Sequence, residues 1–207
     1  LTFRGPLDRA AMESALRQLV ARHESLRTTF EPTGERQLVD DAATPECGFS
    51  DLAGLDPATR DRELDALVRE EVRRPFDLAQ APLLRARPIR TEPTRHDMLL
   101  TAHHVICDGW SYDVMTRDLS ALYSMNVQGE RDQRPRPTQF RDYARFLAGY
   151  RREPRYDADL NYWLRMLSHP PAAVSLPTDR PRPAQRSFAG AMEVAPADEA
   201  LLSAIKE

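Results

Sequence analysis

The sequence predicts an α/β fold, because segments with the period of a helix alternate with short apolar runs of strand length. Of the 207 residues, 41% are hydrophobic, which is enough to build a core, and 29% are charged, which is enough to solvate a surface. Helix-capping and turn-forming residues separate the segments. A chain of this length is consistent with one or two domains.

The first third of the chain is predicted to form a helix followed by two strands. The helix begins after Asp8, a favourable N-cap, and runs to about Glu24. Its apolar residues share one face, which is predicted to enter the core: Met12, Leu16, Leu19 and Val20. Residues 26–31 and 36–40 are predicted strands, joined by a turn of hairpin length at residues 32–34.

The middle of the chain is predicted to form a helix, two strands and a further helix. The first of these helices has Asp56 as its N-cap, is followed by a proline at its first position, and runs to about Arg73. It is expected to bury four apolar residues: Leu64, Leu67, Val68 and Val72. Strands are predicted at residues 83–90 and 97–102, and the next helix at residues 111–125.

Three further apolar stripes have helical spacing and are predicted to lie in the core. They comprise Val114, Met115, Leu119, Leu122 and Tyr123, then Phe140, Tyr143, Phe146 and Leu147, then Leu160, Trp163, Leu164 and Leu167. Residues 169–183 are rich in proline, which cannot continue a helix or a central strand, so they are predicted to form a semi-extended connector. A domain boundary is therefore expected near Ser168.

The run from His103 to Gly109, HHVICDG, is the strongest indication of function, because it places two histidines, an acid and a glycine within seven residues. It connects a predicted strand to a predicted helix, a position that often carries functional residues. Neighbouring side chains of an extended segment point to opposite faces, so His103 and His104 are predicted to have different roles. One would face a cleft and the other would support the fold.

This run resembles the HHxxxDG active-site signature of the condensation domains of nonribosomal peptide synthetases, within the chloramphenicol-acetyltransferase-like superfamily. Three more segments are similar to family motifs and occur in the family's order: residues 22–30 (RHESLRTTF), 140–146 (FRDYARF) and 176–183 (LPTDRPRP). The chain has Cys107 where the family often has serine, and Phe146 where it often has tryptophan. Neither difference removes a catalytic group.

The resemblance implies an α/β lobe of chloramphenicol-acetyltransferase-like architecture, with a mixed β-sheet flanked by helices. A complete condensation domain has two such lobes. Residues 1–168 are therefore expected to be an N-terminal lobe without the family's first motif. Residues 169–207 are expected to be the proline-rich crossover and a truncated start of the C-terminal lobe.

The resemblance also implies peptide-bond formation between aminoacyl or peptidyl thioesters carried on the phosphopantetheine of carrier proteins. The expected partners are upstream and downstream carrier proteins and adjacent synthetase domains, and the chain itself is expected to bind no cofactor. An α-amine, with a pKa of roughly 8, must be neutral to attack, and an imidazole, with a pKa of about 6.5, can accept a proton. His104 is therefore the candidate general base, or the residue that orients the amine. With His103, Asp108 and Gly109 it makes up the predicted catalytic set.

Three neighbouring groups are expected to support the site. Asp108 is expected to hold the loop by pairing with a buried arginine, as the resemblance implies, with Arg22 as the first candidate and Arg27 as the second. Gly109 is expected to permit a positive φ and a close approach of the backbone to the tethered substrate. Trp110 is predicted to pack beside the substrate tunnel.

Composition and spacing argue against several other classes of protein. The net charge is −3 and no concentrated basic face occurs, which speaks against a nucleic-acid partner. No apolar run is long enough to cross a bilayer and no signal-peptide pattern occurs at the start, so a cytoplasmic protein without a membrane partner is predicted. Cys47 and Cys107 lack CxxC spacing and no metal-site motif accompanies the histidines, so neither a disulfide nor a metal site is predicted.

Two alternative functions remain open at the level of sequence. One is a non-catalytic condensation-like domain that recruits a partner protein. The other is a standalone acyltransferase that uses a CoA- or carrier-bound acyl donor, because HHxxxDG also occurs in such enzymes. The arginine-rich and proline-rich segments favour a condensation domain over the second alternative.

Overall fold

The computed structural model describes residues 1–170, 172, 174–185, 190 and 193–206. The chain divides into two compact units, Leu1–Asp157 and Ala158–Glu207. The described strands all lie in the first unit. The division falls before the boundary predicted near Ser168, and the assignment of the two predicted segments to two lobes stays a prediction.

Five strands of the first unit form a mixed sheet. β7 (Arg95–Ala102) pairs antiparallel with β1 (Thr2–Arg4) on one side and with β6 (Leu84–Glu92) on the other. β4 (Glu46–Cys47) and β5 (Ser50–Asp51) both run parallel to β6. The presence of parallel and antiparallel pairs confirms the predicted mixed sheet.

A separate hairpin follows the first helix. β2 (Thr28–Phe30) pairs antiparallel with β3 (Gln37–Val39). Gly34 in the connecting turn has a φ of 73°, a conformation that glycine adopts at no steric cost. The predicted pair of strands and its turn are thus confirmed.

α-Helices occur in both units of the described chain. They are α1 (Arg9–Arg22), α2 (Pro57–Arg73), α3 (Gly109–Gln128), α4 (Phe140–Tyr150), α5 (Pro154–Met166) and α6 (Glu199–Lys206). Asp8 and Asp56 cap α1 and α2 by accepting hydrogen bonds from backbone N–H groups at 3.0 and 3.1 Å. The described part of residues 169–183 contains neither helix nor strand, in agreement with the predicted connector. Among the described residues, no helix has both the length and the apolar character that a bilayer crossing requires.

The core of the first unit lies where α1 and α3 pack against β6 and β7. Its fully buried members include Met12, Leu16, Leu19 and Val20 of α1, Leu119 and Leu122 of α3, and Leu84 of β6. The apolar stripe predicted for α1 and the centre of the stripe predicted for α3 are therefore confirmed. This packing fixes the end of β7 and the start of α3, and the motif lies between them.

Helix α2 does not bury the stripe that its sequence predicts. The two leucines of that stripe are half-buried, but its two valines are exposed, and Val72 is 74% exposed. The buried residue of α2 is Glu71, whose carboxylate accepts a hydrogen bond from the Arg85 guanidinium of β6. An ion pair thus replaces apolar packing at this contact, and the prediction for the valines was wrong.

The stripes of α4 and α5 were predicted to lie in the core, and this is wrong for the described chain. All eight residues are exposed: Phe140, Tyr143, Phe146, Leu147, Leu160, Trp163, Leu164 and Leu167. On α4 the aromatic rings pack against one another instead, with centroids 6.2 Å apart for Phe140 and Tyr143 and 6.3 Å apart for Tyr143 and Phe146.

Candidate active site

The motif forms a short turn between β7 and α3. β7 ends at Ala102, and α3 begins at Gly109. The backbone N–H of His103 donates to the carbonyl of Leu83 at 3.0 Å, and the His103 carbonyl accepts from the N–H of Ile106 at 3.1 Å. The turn is therefore anchored by hydrogen bonds at its first residue and closed on itself.

The His103 side chain is held by the protein. Its Nδ1 accepts a hydrogen bond from the backbone N–H of Val105 at 3.1 Å. Its ring meets the Phe76 ring edge to face, with centroids 6.1 Å apart and an angle of 88° between the planes. Because Nδ1 accepts, the neutral imidazole carries its hydrogen on Nε2. These contacts suit a residue that supports the turn.

The His104 side chain is exposed and lines a cavity of about 610 Å³. Residues from several elements surround it: Glu24, Ser25, Thr28, Phe30, Gln37, Val39, Val105, Ile106, Cys107, Asp108, Ser111, Phe140 and Arg141. The wall thus combines apolar side chains with a larger number of polar and charged ones, which can fix the orientation of a ligand. The two histidines are oriented differently, as predicted, although they lie in a turn and not in a strand.

Asp108 forms no ion pair with an arginine of the described chain, so that prediction was wrong. It is the N-cap of α3, where its Oδ1 accepts from the Ser111 N–H at 2.9 Å and from the Ser111 Oγ at 2.7 Å. The Asp108 N–H donates in return to the Ser111 Oγ at 3.1 Å. These hydrogen bonds hold the pKa of Asp108 below its usual value. The separation of three residues between Asp108 and Ser111 is a capping signal that the sequence contained.

The two predicted arginine partners lie elsewhere. Arg22, the last residue of α1, donates to Asp118 at 3.1 Å, and Arg27 donates to Asp41. Asp118 follows Asp108 by ten residues, which is about 15 Å along a helix. Arg22 reaches α3 at this later position, so it cannot also support the helix start.

Asp118 is the centre of a polar network that sequence reasoning missed. It accepts from Arg22, from Arg134 at 2.8 Å, and lies 2.7 Å from His23 Nε2. Burial raises the pKa of Asp118, but the hydrogen bonds from His23 and Arg22 outweigh it and the pKa lies below its usual value. The adjacent Asp132 accepts from Arg134, which lowers the pKa of Asp132 to about 2. The network fastens the segment after α3 to both core helices.

Gly109 and Trp110 differ from what the sequence predicts. Gly109 is the first residue of α3, and it is absent from the glycines that have a positive φ in the described chain. A methyl group at its Cα would meet no atom within 4 Å, so the backbone there borders open space. Trp110 is 82% exposed, so it does not pack within the described chain as predicted.

Cys107 lies in the wall of the cavity but is not arranged as a nucleophile. Its side chain is buried, and Sγ lies 3.7 Å from the carbonyl oxygen of His103. Burial raises the pKa of the thiol, and the negative charge of Asp108 raises it further. The thiol is therefore protonated at neutral pH. Within the described residues, no group of three or more histidine, cysteine or acidic side chains could hold a metal ion.

Comparisons with known sequences agree with this picture. The family model described as the condensation domain matches residues 1–207. A linear gramicidin synthase protein of Brevibacillus parabrevis is 36% identical over 210 residues, which cover 100% of this chain and 3% of that protein. The chain therefore spans a small part of the length of the curated relative.

Solved structures have the same fold. The starter condensation domain of rhizomide synthetase is 21% identical with a TM-score of 0.74, and the match covers 83% of this chain and 42% of that one. A chain in the complex of the X-domain and OxyB from teicoplanin biosynthesis is 32% identical with a TM-score of 0.73, covering 89% of this chain and 41% of that one. The predicted chloramphenicol-acetyltransferase-like fold is confirmed. By sequence, by fold and by its motif, the chain belongs to the condensation-domain family.

Proposed function

We propose that this domain forms an amide bond between two substrates that are tethered as thioesters to phosphopantetheine arms of carrier proteins. The observation that carries the proposal is the position of His104, which lies on an anchored turn and presents its ring to a cavity of about 610 Å³. The carrier proteins and neighbouring synthetase domains are then its partners. The family membership and the similarity to a gramicidin synthase support this assignment.

The reaction needs one acid–base group near the attacking amine. The acceptor amine forms a C–N bond with the donor carbonyl while the C–S bond breaks, and the amine loses a proton. His104 accepts that proton or orients the amine, and the proton ends on the departing thiolate of the phosphopantetheine. General-base help contributes about 10²- to 10⁴-fold, and positioning two tethered reactants can contribute more.

The other motif residues are assigned supporting roles in this proposal. His103 holds the turn through its hydrogen bond to Val105. Asp108 fixes the first turn of α3 through Ser111, so it places the cavity wall on the helix side. Gly109 keeps the space beside the helix start open. No step requires a bound cofactor.

A single-turnover condensation assay with loaded donor and acceptor carrier proteins tests the proposal. It is run on this chain and on a chain extended to the length of the solved condensation domains. His104→Ala is expected to leave circular dichroism and the thermal midpoint unchanged and to slow product formation by about 10²-fold or more in the extended chain. His169→Ala, the same change at an exposed histidine, is the control and is expected to retain full activity. Unchanged turnover in His104→Ala would contradict the role of this residue.

A second candidate function is the recruitment of a partner protein. It is favoured by the complex of the X-domain and OxyB, which contains a chain 32% identical to this one. If properly folded extended protein forms no product with any loaded carrier pair, recruitment becomes the better assignment. Binding of OxyB to the extended protein, measured by calorimetry and retained in His104→Ala, would support it.

A further inference from the structure

We propose that Phe76, held in place by Arg85, is a positioning residue that orients the His103 ring and thereby fixes the turn that carries His104. This inference deepens the proposed function and rests on it for its catalytic consequence. The contacts themselves are independent of any activity. They run from a buried arginine of β6 through one aromatic ring to the motif.

Arg85 is a buried anchor. It lies opposite Thr101 in the β6–β7 ladder, and its side chain is 8% exposed, as is that of Glu71. Its Nε donates to the Glu71 carboxylate at 2.5 Å, and its terminal nitrogens donate to the carbonyls of Arg74 at 2.9 Å and Pro75 at 3.4 Å. A planar guanidinium can make all these bonds at once, whereas an ammonium cannot reproduce their fork geometry. Arg85 therefore fastens the end of α2, and the residues just after it, to the sheet.

Phe76 lies directly after this fastened segment and between two charged or polar groups. The Cζ of Arg85 is 3.7 Å from the centroid of the Phe76 ring, which is a close cation–π contact. The same ring meets His103 edge to face at 6.1 Å. The position of the phenyl ring is thus set by Arg85, and the phenyl ring in turn limits the rotation of the imidazole.

The orientation of His103 determines the conformation of the turn. Its Nδ1 must point at the Val105 N–H to accept the hydrogen bond of 3.1 Å. Rotation of the ring would leave that N–H without its acceptor. His104 lies between these two residues, so its backbone is held from both sides. Phe76 does not line the His104 cavity, and it acts through His103 and not on a substrate.

Amide hydrogen exchange in this 207-residue chain tests the contact without any activity. Phe76→Leu removes the ring and is expected to accelerate exchange at the Val105 amide by roughly 2- to 12-fold. This range is the stabilisation that an aromatic pair contributes, converted to a fold-change. It is also expected to reduce the Nε2–H tautomer in the ¹⁵N spectrum of the His103 ring. Phe76→Tyr keeps the ring and is expected to restore both signals.

A matched control is available at Phe49, whose ring also carries an arginine, with the Cζ of Arg9 4.0 Å from the centroid. Phe49→Leu therefore removes a phenyl ring and a cation–π contact of the same kind, and it is expected to leave Val105 exchange unchanged. If Phe76→Leu does not fold, Phe76→Met replaces it, since methionine preserves volume without a ring. Unchanged Val105 exchange in the folded variant, or an equal change in Phe49→Leu, overturns the proposal.

The catalytic consequence is measured in the extended chain by separating kcat from KM for the loaded acceptor carrier. Phe76→Leu is expected to lower kcat by roughly 2- to 12-fold and to leave KM unchanged, because the ring does not touch the cavity. A normal kcat in Phe76→Leu beside an inactive His104→Ala overturns the positioning role and leaves the proposed function intact. A fully active His104→Ala would contradict the proposed function, while faster Val105 exchange would still support the contact.

Discussion

Helices α1 and α3 bury their apolar faces, whereas α4 exposes a face of equally regular spacing. Leu119 of α3 is 1% exposed, and Phe146 of α4 is 63% exposed. Both positions recur with the period of a helix in the sequence. The difference shows that periodicity identifies which side of a helix is apolar, but that burial depends on the elements that pack against that side.

The two regions also differ in how their side chains are stabilised. In the α1–α3 region, the apolar core is bordered by the Asp118 network, whose members come from both helices and from the segment after α3. On α4, contacts are largely local, such as the stacked rings of Phe146 and Tyr150 with centroids 6.3 Å apart. Such ring pairs contribute about 0.5–1.5 kcal/mol each, less than full burial of a large side chain.

The largest expected effect comes from the same substitution made in each region. Leu119→Ala is expected to destabilise the chain by about 2–5 kcal/mol, because it leaves a cavity in a closely packed core. Leu147→Ala on α4 removes the same atoms from an exposed position and is expected to cost about 1 kcal/mol or less. Urea unfolding followed by circular dichroism gives both values. Equal losses would mean that the α4 face is covered in solution.

Acidification is expected to lower the free energy of unfolding through the α1–α3 region, by less than Leu119→Ala does. The pKa of Asp132 is about 2 in the folded chain because of its hydrogen bond from Arg134, and it is about 3.8 without that partner. The unfolded state therefore binds more protons between these values, so the stabilisation is complete above about pH 4 and is lost as the pH falls to about 2. Because Asp132 is an exposed residue, solvent screens its interaction with Arg134, and the stabilisation is expected to be about 1 kcal/mol or less.

Asp132→Asn isolates this contribution. The variant is expected to be less stable than the wild type at about pH 6, and the difference is expected to shrink towards about pH 2. Asp142→Asn on α4 removes the charge that faces Arg145 but keeps an oxygen that can accept the Gln139 N–H, so it is expected to change stability by about 0.5 kcal/mol or less at every pH. Parallel stability curves for the wild type and Asp132→Asn would refute the assignment.

Much of the fold could be predicted because its signals are local. Asp8 and Asp56 each cap the helix that begins one residue later, and the helix at Gly109 follows Asp108 in the same way. The exposure of Val72 could not be predicted, because the position of α2 depends on the ion pair between Glu71 and Arg85. These two residues lie fourteen residues apart and on different elements.

The candidate site shows the same limit. The motif located both histidines, and the different surroundings of their side chains follow from neighbouring positions in one short run. Their catalytic roles stay a prediction. The partner of Asp108 was missed because a local acceptor–donor pair with Ser111 satisfies the carboxylate. Phe76 and Arg85 carry no motif, and their relation to His103 exists only once α2, β6 and the turn are assembled.

The smallest expected effect sharpens the comparison within a single helix. Trp110 and Met115 both lie on α3, but Trp110 is 82% exposed and Met115 is buried. Trp110→Ala is expected to change the free energy of unfolding by about 0.5 kcal/mol or less, since few contacts are lost from an exposed ring. Met115→Ala, five residues later, is expected to cost about 2–5 kcal/mol. Urea unfolding followed by circular dichroism compares the two without relying on tryptophan fluorescence. A loss above about 1 kcal/mol in Trp110→Ala would mean that this ring packs against another surface in solution. The two faces of α3 would then both be covered, and the difference in exposure between Trp110 and Met115 would not hold in solution.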